Sequence, residues 1–311
     1  MKDLGELKYF LEIEFARSQE GIVIHQRKYA LELISEAGLA AAKPTVTPID
    51  NNVKLTSKQY DEHTGQTENS ASSDPLVDQI SFQRLIGKLL YLTITRPGIS
   101  FGVQTLSQFL QQPKKSHMEA ALRIVKYIKS QPGQGVLMSS SQINTITAFC
   151  DADWAACPLT RKSVTGFLIK IGDSLVSWKS KKQTTVSRSS TEAEYRSLAT
   201  TVAELIWLHG ILKEVGIHIK LPIDIYSDSK SAIQIAANSV YHERTIHIEI
   251  DCHFVRERIQ QGLITTKYIS TTAQPVDVLT KGLTRVQHEY LKSKLGMFNI
   301  FSPPSLRGSI E

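Results

Sequence analysis

Residues 145–228 constrain the fold more than any other stretch of this chain. Three apolar runs follow one another, Thr145–Cys150, Gly166–Lys170 and Ser174–Lys179, each of strand length and each set off by polar or glycine-containing segments. The turn Gly172-Asp173 leaves so little chain between the last two that antiparallel pairing is implied. A long helix follows. Ser189-x-x-Glu192 has the spacing of a capping box, Leu198, Val202, Leu205, Ile206 and Leu212 supply an apolar face, and Gly216 closes it. Ile223–Ser227 is a fourth strand, followed by Asp228 and a helix over Ser231–Ala237. A further helix over 248–259, a fifth strand over Leu263–Ile269 and a helical stretch from Pro275 complete the series. A hairpin run followed by alternating strands and helices predicts an α/β fold: a mixed five-stranded sheet with flanking helices.

Such sheets place their sites beyond the carboxyl ends of the strands. Asp151 ends the first strand and Asp228 the fourth; if those strands are neighbours, the two carboxylates stand side by side. Glu194, in the first turns of the long helix, and Asp277, at the start of the last, can point at the same spot. Two like charges ~4 Å apart repel by roughly 4 kcal/mol at an effective dielectric near 20. Such a cluster stays ionised only around a cation. Oxygen-only ligands favour Mg2+ or Mn2+. Two such ions about 3.5–4 Å apart activate a water and stabilise the leaving oxygen of a phosphodiester. Any single aspartate at a strand end is usually just a turn residue; the set of four together, in this topology, reverses that reading. Asp153 and Glu192 are read as a turn residue and a helix cap. Arg161, Lys162, Lys179, Lys182 and Arg188, with Lys181, surround the site with positive charge suited to a nucleic-acid backbone. The alternative for each is a charged residue guarding a sheet edge.

The 311 residues leave room for a second unit before residue 140. There Leu7–Phe15 alternates as one strand with Tyr9, Leu11, Ile13 and Phe15 on a common face, and Ile22–His25 returns. A short helix runs from Tyr29 to near Gly38. Residues 56–75 are polar and read as an exposed loop or linker, and helices are expected around Phe82–Leu92, Ile99–Leu110 and His117–Ile128. Lys114, Lys115 and Lys126 could meet nucleic acid, but read first as a solvated helix face. The expected divisions are 1–55, 56–75, 76–140, 145–285 and 286–311, the last a terminal helix and a disordered tail.

The balance of 36 Lys+Arg against 30 Asp+Glu permits a polyanionic partner without demanding one. Three cysteines, an odd number, argue against a disulfide framework and for a reducing compartment. The first residues lack the apolar core of a signal peptide, and no apolar run approaches the ~20 residues that span a bilayer. An intracellular chain, not secreted and with no membrane partner, is expected. His242, His247, His253 and Cys252 do not have the spacing of a structural zinc site.

Residues 145–285 resemble the ribonuclease H domain of copia-type retrotransposon Pol polyproteins. The runs that carry the likeness are Asp151-Ala152-Asp153-Trp154-Ala155, Arg161-Lys162-Ser163-x-Thr165-Gly166, Trp178–Gln183, Ser189-Ser190-Thr191-Glu192-Ala193-Glu194-Tyr195, Tyr226-Ser227-Asp228-Ser229-x-Ser231-Ala232, His247–Asp251 and Asp277-Val278-Leu279-Thr280-Lys281. The resemblance implies that Asp151, Glu194, Asp228 and Asp277 are the catalytic and metal-binding carboxylates. Asp151 would bridge two Mg2+ or Mn2+ ions, Glu194 and Asp228 would complete one shell, and Asp277 would hold the second ion. It implies endonucleolytic cleavage of the RNA strand of an RNA–DNA hybrid during reverse transcription.

The earlier segment resembles the C-terminal end of the reverse transcriptase of the same family, its palm end, thumb and connection. The matching runs are Asp3–Leu11, Gln26–Ala30, Gly87–Leu92 and Thr95-Arg96-Pro97. The remainder of that reverse transcriptase, within a longer polyprotein, is the implied partner. Glu12 stands where the family pattern has glycine, Gly98 where it has aspartate and Ile246 where it has lysine. No Asp-Asp dipeptide occurs in the chain, so no DNA synthesis is expected from it alone. The competing reading is an inactive remnant that binds nucleic acid or a polyprotein partner without cutting.

Overall fold

The computed structural model describes residues 5–51, 53–64, 74–141, 143–238 and 248–301. Two five-stranded sheets organise it. The second carries the residues of interest and is built from β5 (Thr145–Asp153), β6 (Val164–Ile171), β7 (Ser174–Lys182), β8 (Lys220–Ser227) and β9 (Ile264–Tyr268). Its order is β7-β6-β5-β8-β9. The β5–β6 and β6–β7 pairs are antiparallel, and the β5–β8 and β8–β9 pairs are parallel. β5 and β8 are therefore neighbours running the same way, and Asp151 and Asp228 emerge at the same end of the sheet.

Both faces of this sheet are covered, which is why β5 and β6 are apolar almost throughout. On one face lies α6 (Ser190–Glu214), with α7 (Lys230–Ala237) and α8 (Glu249–Gln260) beside it. Ile146, Ala148 and Cys150 of β5 meet Tyr195, Leu198, Val202 and Leu205 of α6 in one core. The Ile, Leu and Val side chains among them each contribute about 1.5–3 kcal/mol by leaving water. The opposite face packs Leu168 and Leu175 against Val136, Val276, Leu279, Leu291 and Leu295. That second core brings in β4 (Gln134–Ser139), α9 (Asp277–Thr280) and α10 (Arg285–Ser293).

β4 belongs to the first sheet. Its order is β1-β2-β3-β4-β10, with β1 (Tyr9–Phe10), β2 (Ile13–Ser18), β3 (Gly21–His25) and β10 (Met297–Asn299), all antiparallel. The end of the described chain thus returns to the sheet that starts it. Neither β4 nor β10 is foreseen from the sequence. Both are short, and their pairing is long-range rather than a local pattern. The helices α1 (Arg27–Glu36), α3 (Gln79–Leu92), α4 (Ser100–Leu106) and α5 (Lys115–Ser130) form a separate core around Phe82, Ile86, Leu89, Val103 and Ile124. Trp178 ties β7 to this helical part by donating its indole N–H to the Thr93 carbonyl at 3.0 Å.

Three expectations are corrected. The single strand over Leu7–Phe15 is a tight hairpin: Tyr9 pairs with Glu14 and Phe10 with Ile13, and Leu11 and Glu12 take φ of 47° and 59°. Alternating residues conceal a turn when neither turn position is glycine. The polar stretch 56–75 contains α2 (Lys58–Thr64), so it is not loop throughout. Lys114, read as solvated, is buried, with its ammonium 2.6 Å from Asp61 and 3.3 Å from Asp74. The sequence-distant carboxylates that make this burial possible come from the polar stretch itself. The tail beyond residue 301, His242, Ile246 and His247 lie outside the described residues.

Candidate metal centre

Asp151 is the buried centre of the site, 1% exposed near the end of β5. Its strand neighbour across β6 is Gly166. A Cβ at Gly166 would lie 2.5 Å from Thr280 Cγ2 and 2.7 Å from Val276 Cγ1. Only the missing side chain lets α9 settle against the strand pair. Thr280 then donates its hydroxyl to Asp151 Oδ2 at 2.5 Å. From the other face, Ser197 of α6 donates to the Asp151 carbonyl at 2.8 Å and is 3.1 Å from the Gly166 carbonyl. That anchor sets the height of Glu194, one turn earlier. Gln274, fully buried, donates to the Cys150 carbonyl at 3.0 Å and holds the loop before α9.

The start of α6 is set by its caps. Ser189 accepts from the Glu192 N–H at 3.2 Å, and the Glu192 carboxylate accepts from the Arg188 N–H at 2.8 Å and pairs with Arg196 at 2.9 Å. Glu192 is therefore spent on the helix start, leaving Glu194 to face the sheet. Asp228 follows β8 directly, with Ser229 capping α7.

Asp151, Glu194 and Asp228 come together: one carboxylate oxygen from each lies within 4.8 Å of the others. The expected fourth member, Asp277, stands beside this cluster rather than in it. It reaches the cluster through Lys281, whose ammonium is 2.9 Å from Asp277 Oδ1 and 3.4 Å from Asp151 Oδ2. Burial first, then the charges of Asp151 and Asp228, push the Glu194 carboxyl far above the usual range. Burial and Asp151 also raise Asp277, against the pull of Lys281. Burial would lower Lys281, but the Asp151 and Asp277 charges outweigh it and hold the ammonium charged.

The residues fit a divalent cation. Asp151 Oδ1 and Glu194 Oε2 are buried acceptors with no hydrogen-bond partner. Unpaired buried carboxylate oxygens are costly, and an oxygen-coordinated ion removes that cost. Thr280, Lys281, Ser197 and Gln274 were not singled out from the sequence as site residues. For the first two a signal existed, since they lie three and four residues after Asp277 on one helical turn. Ser197 and Gln274 act through backbone carbonyls and leave no chemical trace in the sequence.

The basic set lies along the same strand ends. Lys182 of β7 shares its row with Val164 and Asp153, and Lys179 lies three rows earlier, with Phe167 and Cys150. Arg161, Lys179 and Arg188 are exposed and Lys162 half-buried. Lys182 is instead engaged, donating to Gln108 Oε1 at 2.8 Å. Trp154 donates to the Ser187 carbonyl at 3.0 Å and so serves the loop before α6. Cys252 is buried while the adjacent His253 is exposed, so these two do not share a ligand position. All three cysteines are free. Among the described residues no helix is long and apolar enough to cross a membrane.

No family model matches the chain. It is 38% identical over 305 residues to the retrovirus-related Pol polyprotein from transposon RE1 of Arabidopsis thaliana, covering 98% of this chain and 20% of that protein. It is 39% identical over 207 residues to an uncharacterised mitochondrial protein of the same plant, covering 67% of this chain and 80% of that one. The chain belongs to the copia-type retrotransposon Pol polyprotein family. It spans about one fifth of the length of the transposon polyproteins it matches. Among solved structures, the ribonuclease H1 LC11 in complex with an RNA/DNA hybrid overlaps 44% of this Pol-family chain and 94% of its own, at 13% identity and a TM-score of 0.34.

Proposed function

We propose that this Pol-family chain is a metal-dependent endoribonuclease that hydrolyses the RNA strand of RNA–DNA hybrids during retrotransposon reverse transcription. The observation that carries the reading is the meeting of Asp151, Glu194 and Asp228 within 4.8 Å, with two buried oxygens left unpaired. In this reading residues 145–285 are a ribonuclease H-like unit, and the segment before them is the end of a reverse transcriptase.

Asp151, Glu194 and Asp228 would hold one Mg2+ or Mn2+, and Asp277 with Asp151 a second. When bound, such ions supply a nucleophilic water and stabilise the leaving oxygen of the phosphodiester. The chain's own groups do the rest. Thr280 fixes the rotamer of Asp151, and Ser197 fixes the spacing between α6 and β5. Arg161, Lys162, Lys179, Lys182 and Arg188 hold the hybrid backbone, with Lys182 leaving Gln108 to do so. These contacts make binding salt-dependent.

The remainder of the polyprotein is the proposed protein partner. Leu7, Tyr9, Phe10 and Leu11 at β1 are all exposed, an apolar edge suited to further chain. An intracellular setting follows from the proposed substrate.

Cleavage of a labelled RNA–DNA hybrid with Mg2+ or Mn2+ tests the reading. Wild type is expected to cut, and Asp151→Asn or added EDTA to reduce cutting to background. A folded wild-type chain that binds the hybrid and leaves it intact overturns hydrolysis in favour of the inactive-remnant reading.

A further inference from the structure

Among the described residues, Lys281 is the charged group that touches the carboxylate site and that the proposed chemistry leaves without a task. Its ammonium sits between Asp277 Oδ1 at 2.9 Å and Asp151 Oδ2 at 3.4 Å. These are the two residues that would share a second divalent ion. The other Asp151 oxygen, Oδ1, is unpaired, as is Glu194 Oε2. The site is thus asymmetric. Among the described residues no ion pair reaches Glu194 or Asp228, whereas Asp277 and Asp151 share the Lys281 ammonium.

We propose that Lys281 is a positioning residue that occupies the second cation position in the free protein, so that only one divalent ion binds before the substrate does. The inference rests on the ribonuclease reading and deepens it. An ammonium within hydrogen-bond reach of a carboxylate removes the negative charge that would attract an ion to that side. It also repels a divalent cation placed at the same distance. Lys281 is not locked there. Its side chain is 30% exposed, and a lysine stem is long and flexible. A phosphodiester oxygen arriving at the site can accept the same ammonium, releasing Asp151 and Asp277 to a second ion. The substrate's own phosphate would thereby complete the metal site, and a chain without hybrid would hold an incomplete one.

Titration of the free chain with Mn2+, read by calorimetry and by the electron paramagnetic resonance signal of unbound Mn2+, tests this without reference to activity. Wild type and Lys281→Arg are expected to bind one Mn2+ per chain. Lys281→Met is expected to bind two, the first at least tenfold more tightly than in wild type. Thermal melts run alongside. Mn2+ is expected to raise the melting temperature of Lys281→Met more than that of wild type, because added affinity for the folded state appears as added stability. A Lys281→Met chain that folds only with Mn2+ supports the inference equally. If it folds under neither condition, Lys281→Gln takes its place with the same expectations.

A folded neutral variant that binds one Mn2+ with wild-type affinity overturns the role of Lys281 while leaving the ribonuclease reading intact. Two Mn2+ on the wild-type chain without hybrid does the same. Absence of Mn2+ binding by wild type and neutral variant alike, with no hybrid cleavage, removes the ribonuclease reading and this inference with it.

Discussion

Thr280 and Asp151, 129 residues apart, are joined by a hydroxyl-to-carboxylate hydrogen bond of 2.5 Å in the interior. The bond holds one Asp151 oxygen and leaves the other buried and unpaired, in a residue that gathers with Glu194 and Asp228. Thr280→Val keeps the side-chain shape and deletes the donor. Groups that orient metal ligands in this way typically change metal affinity by about 10–100-fold. The expected outcome is a loss of that order in Mn2+ affinity with a smaller loss of stability, checked by calorimetric titration and urea unfolding. An unchanged affinity assigns Thr280 to packing alone.

Gly166 sets how closely α9 approaches β6. An added Cβ would meet Thr280 Cγ2 at 2.5 Å, Val276 Cγ1 at 2.7 Å and Leu279 Cβ at 3.3 Å. Gly166→Ala is expected to destabilise the chain by about 1–3 kcal/mol, the usual cost of overpacking. Because α9 carries Asp277 and Thr280, the same change is expected to weaken hybrid cleavage beyond what the fraction unfolded explains. Urea unfolding and cleavage at matched folded concentration separate the two effects.

Glu12 occupies a left-handed turn position, φ 59°, between β1 and β2. A non-glycine residue there costs roughly 1–2 kcal/mol. Its Oε2 is also buried without a partner. Glu12→Gly relieves both terms and gives up a hydrogen bond with Tyr9. A net gain of about 1 kcal/mol is expected in urea unfolding. No gain would mean that the Tyr9 contact offsets the turn strain.

His117 is fully buried, stacked 3.8 Å from the Phe109 ring, and neutral in its hydrogen bonding. Nδ1 accepts from the Lys114 N–H at 3.0 Å, and Nε2 donates to the Thr56 carbonyl at 3.0 Å. Burial, then the Lys114 ammonium, lowers its pKa from 6.5 to about 4. The unfolded chain therefore takes up this proton near its ordinary pKa while the folded chain resists until near pH 4. Stability falls as pH drops through that window and is unaffected above it. Wild type is expected to lose about 3 kcal/mol more than His117→Gln between pH 7 and pH 4. Equal losses in urea titrations of the two chains would remove His117 as the source.

The legible part of this protein was the local part. Apolar runs marked all five strands of the second sheet: the central β5 and β6 are buried almost throughout and tolerate little else, and β7, β8 and β9 each keep a buried apolar stretch. Ser189 and Glu192 marked the start of α6, because a cap acts on residues three positions away. The hairpin at Leu11 and Glu12 was missed for the converse reason: strained turn residues carry no turn signature.

The candidate site divides along the same line. Asp151, Glu194 and Asp228 were visible in the sequence because each sits at an element end whose position local patterning predicts. Their convergence depends only on β5 lying beside β8. Asp277 was visible too, with Lys281 one helical turn beyond it, but the reach of Lys281 to Asp151 exists only once α9 docks over Gly166. Short-range pattern was enough to order the strands and helices of the second sheet and to mark which carboxylates could gather there. Long-range packing alone closes the first sheet with β4 and β10, buries Lys114 against Asp61, and brings Lys281 to Asp151 at one side of the carboxylate cluster. Those contacts join residues far apart in the chain, and their energies come from packing and charge that exist only once the chain has folded.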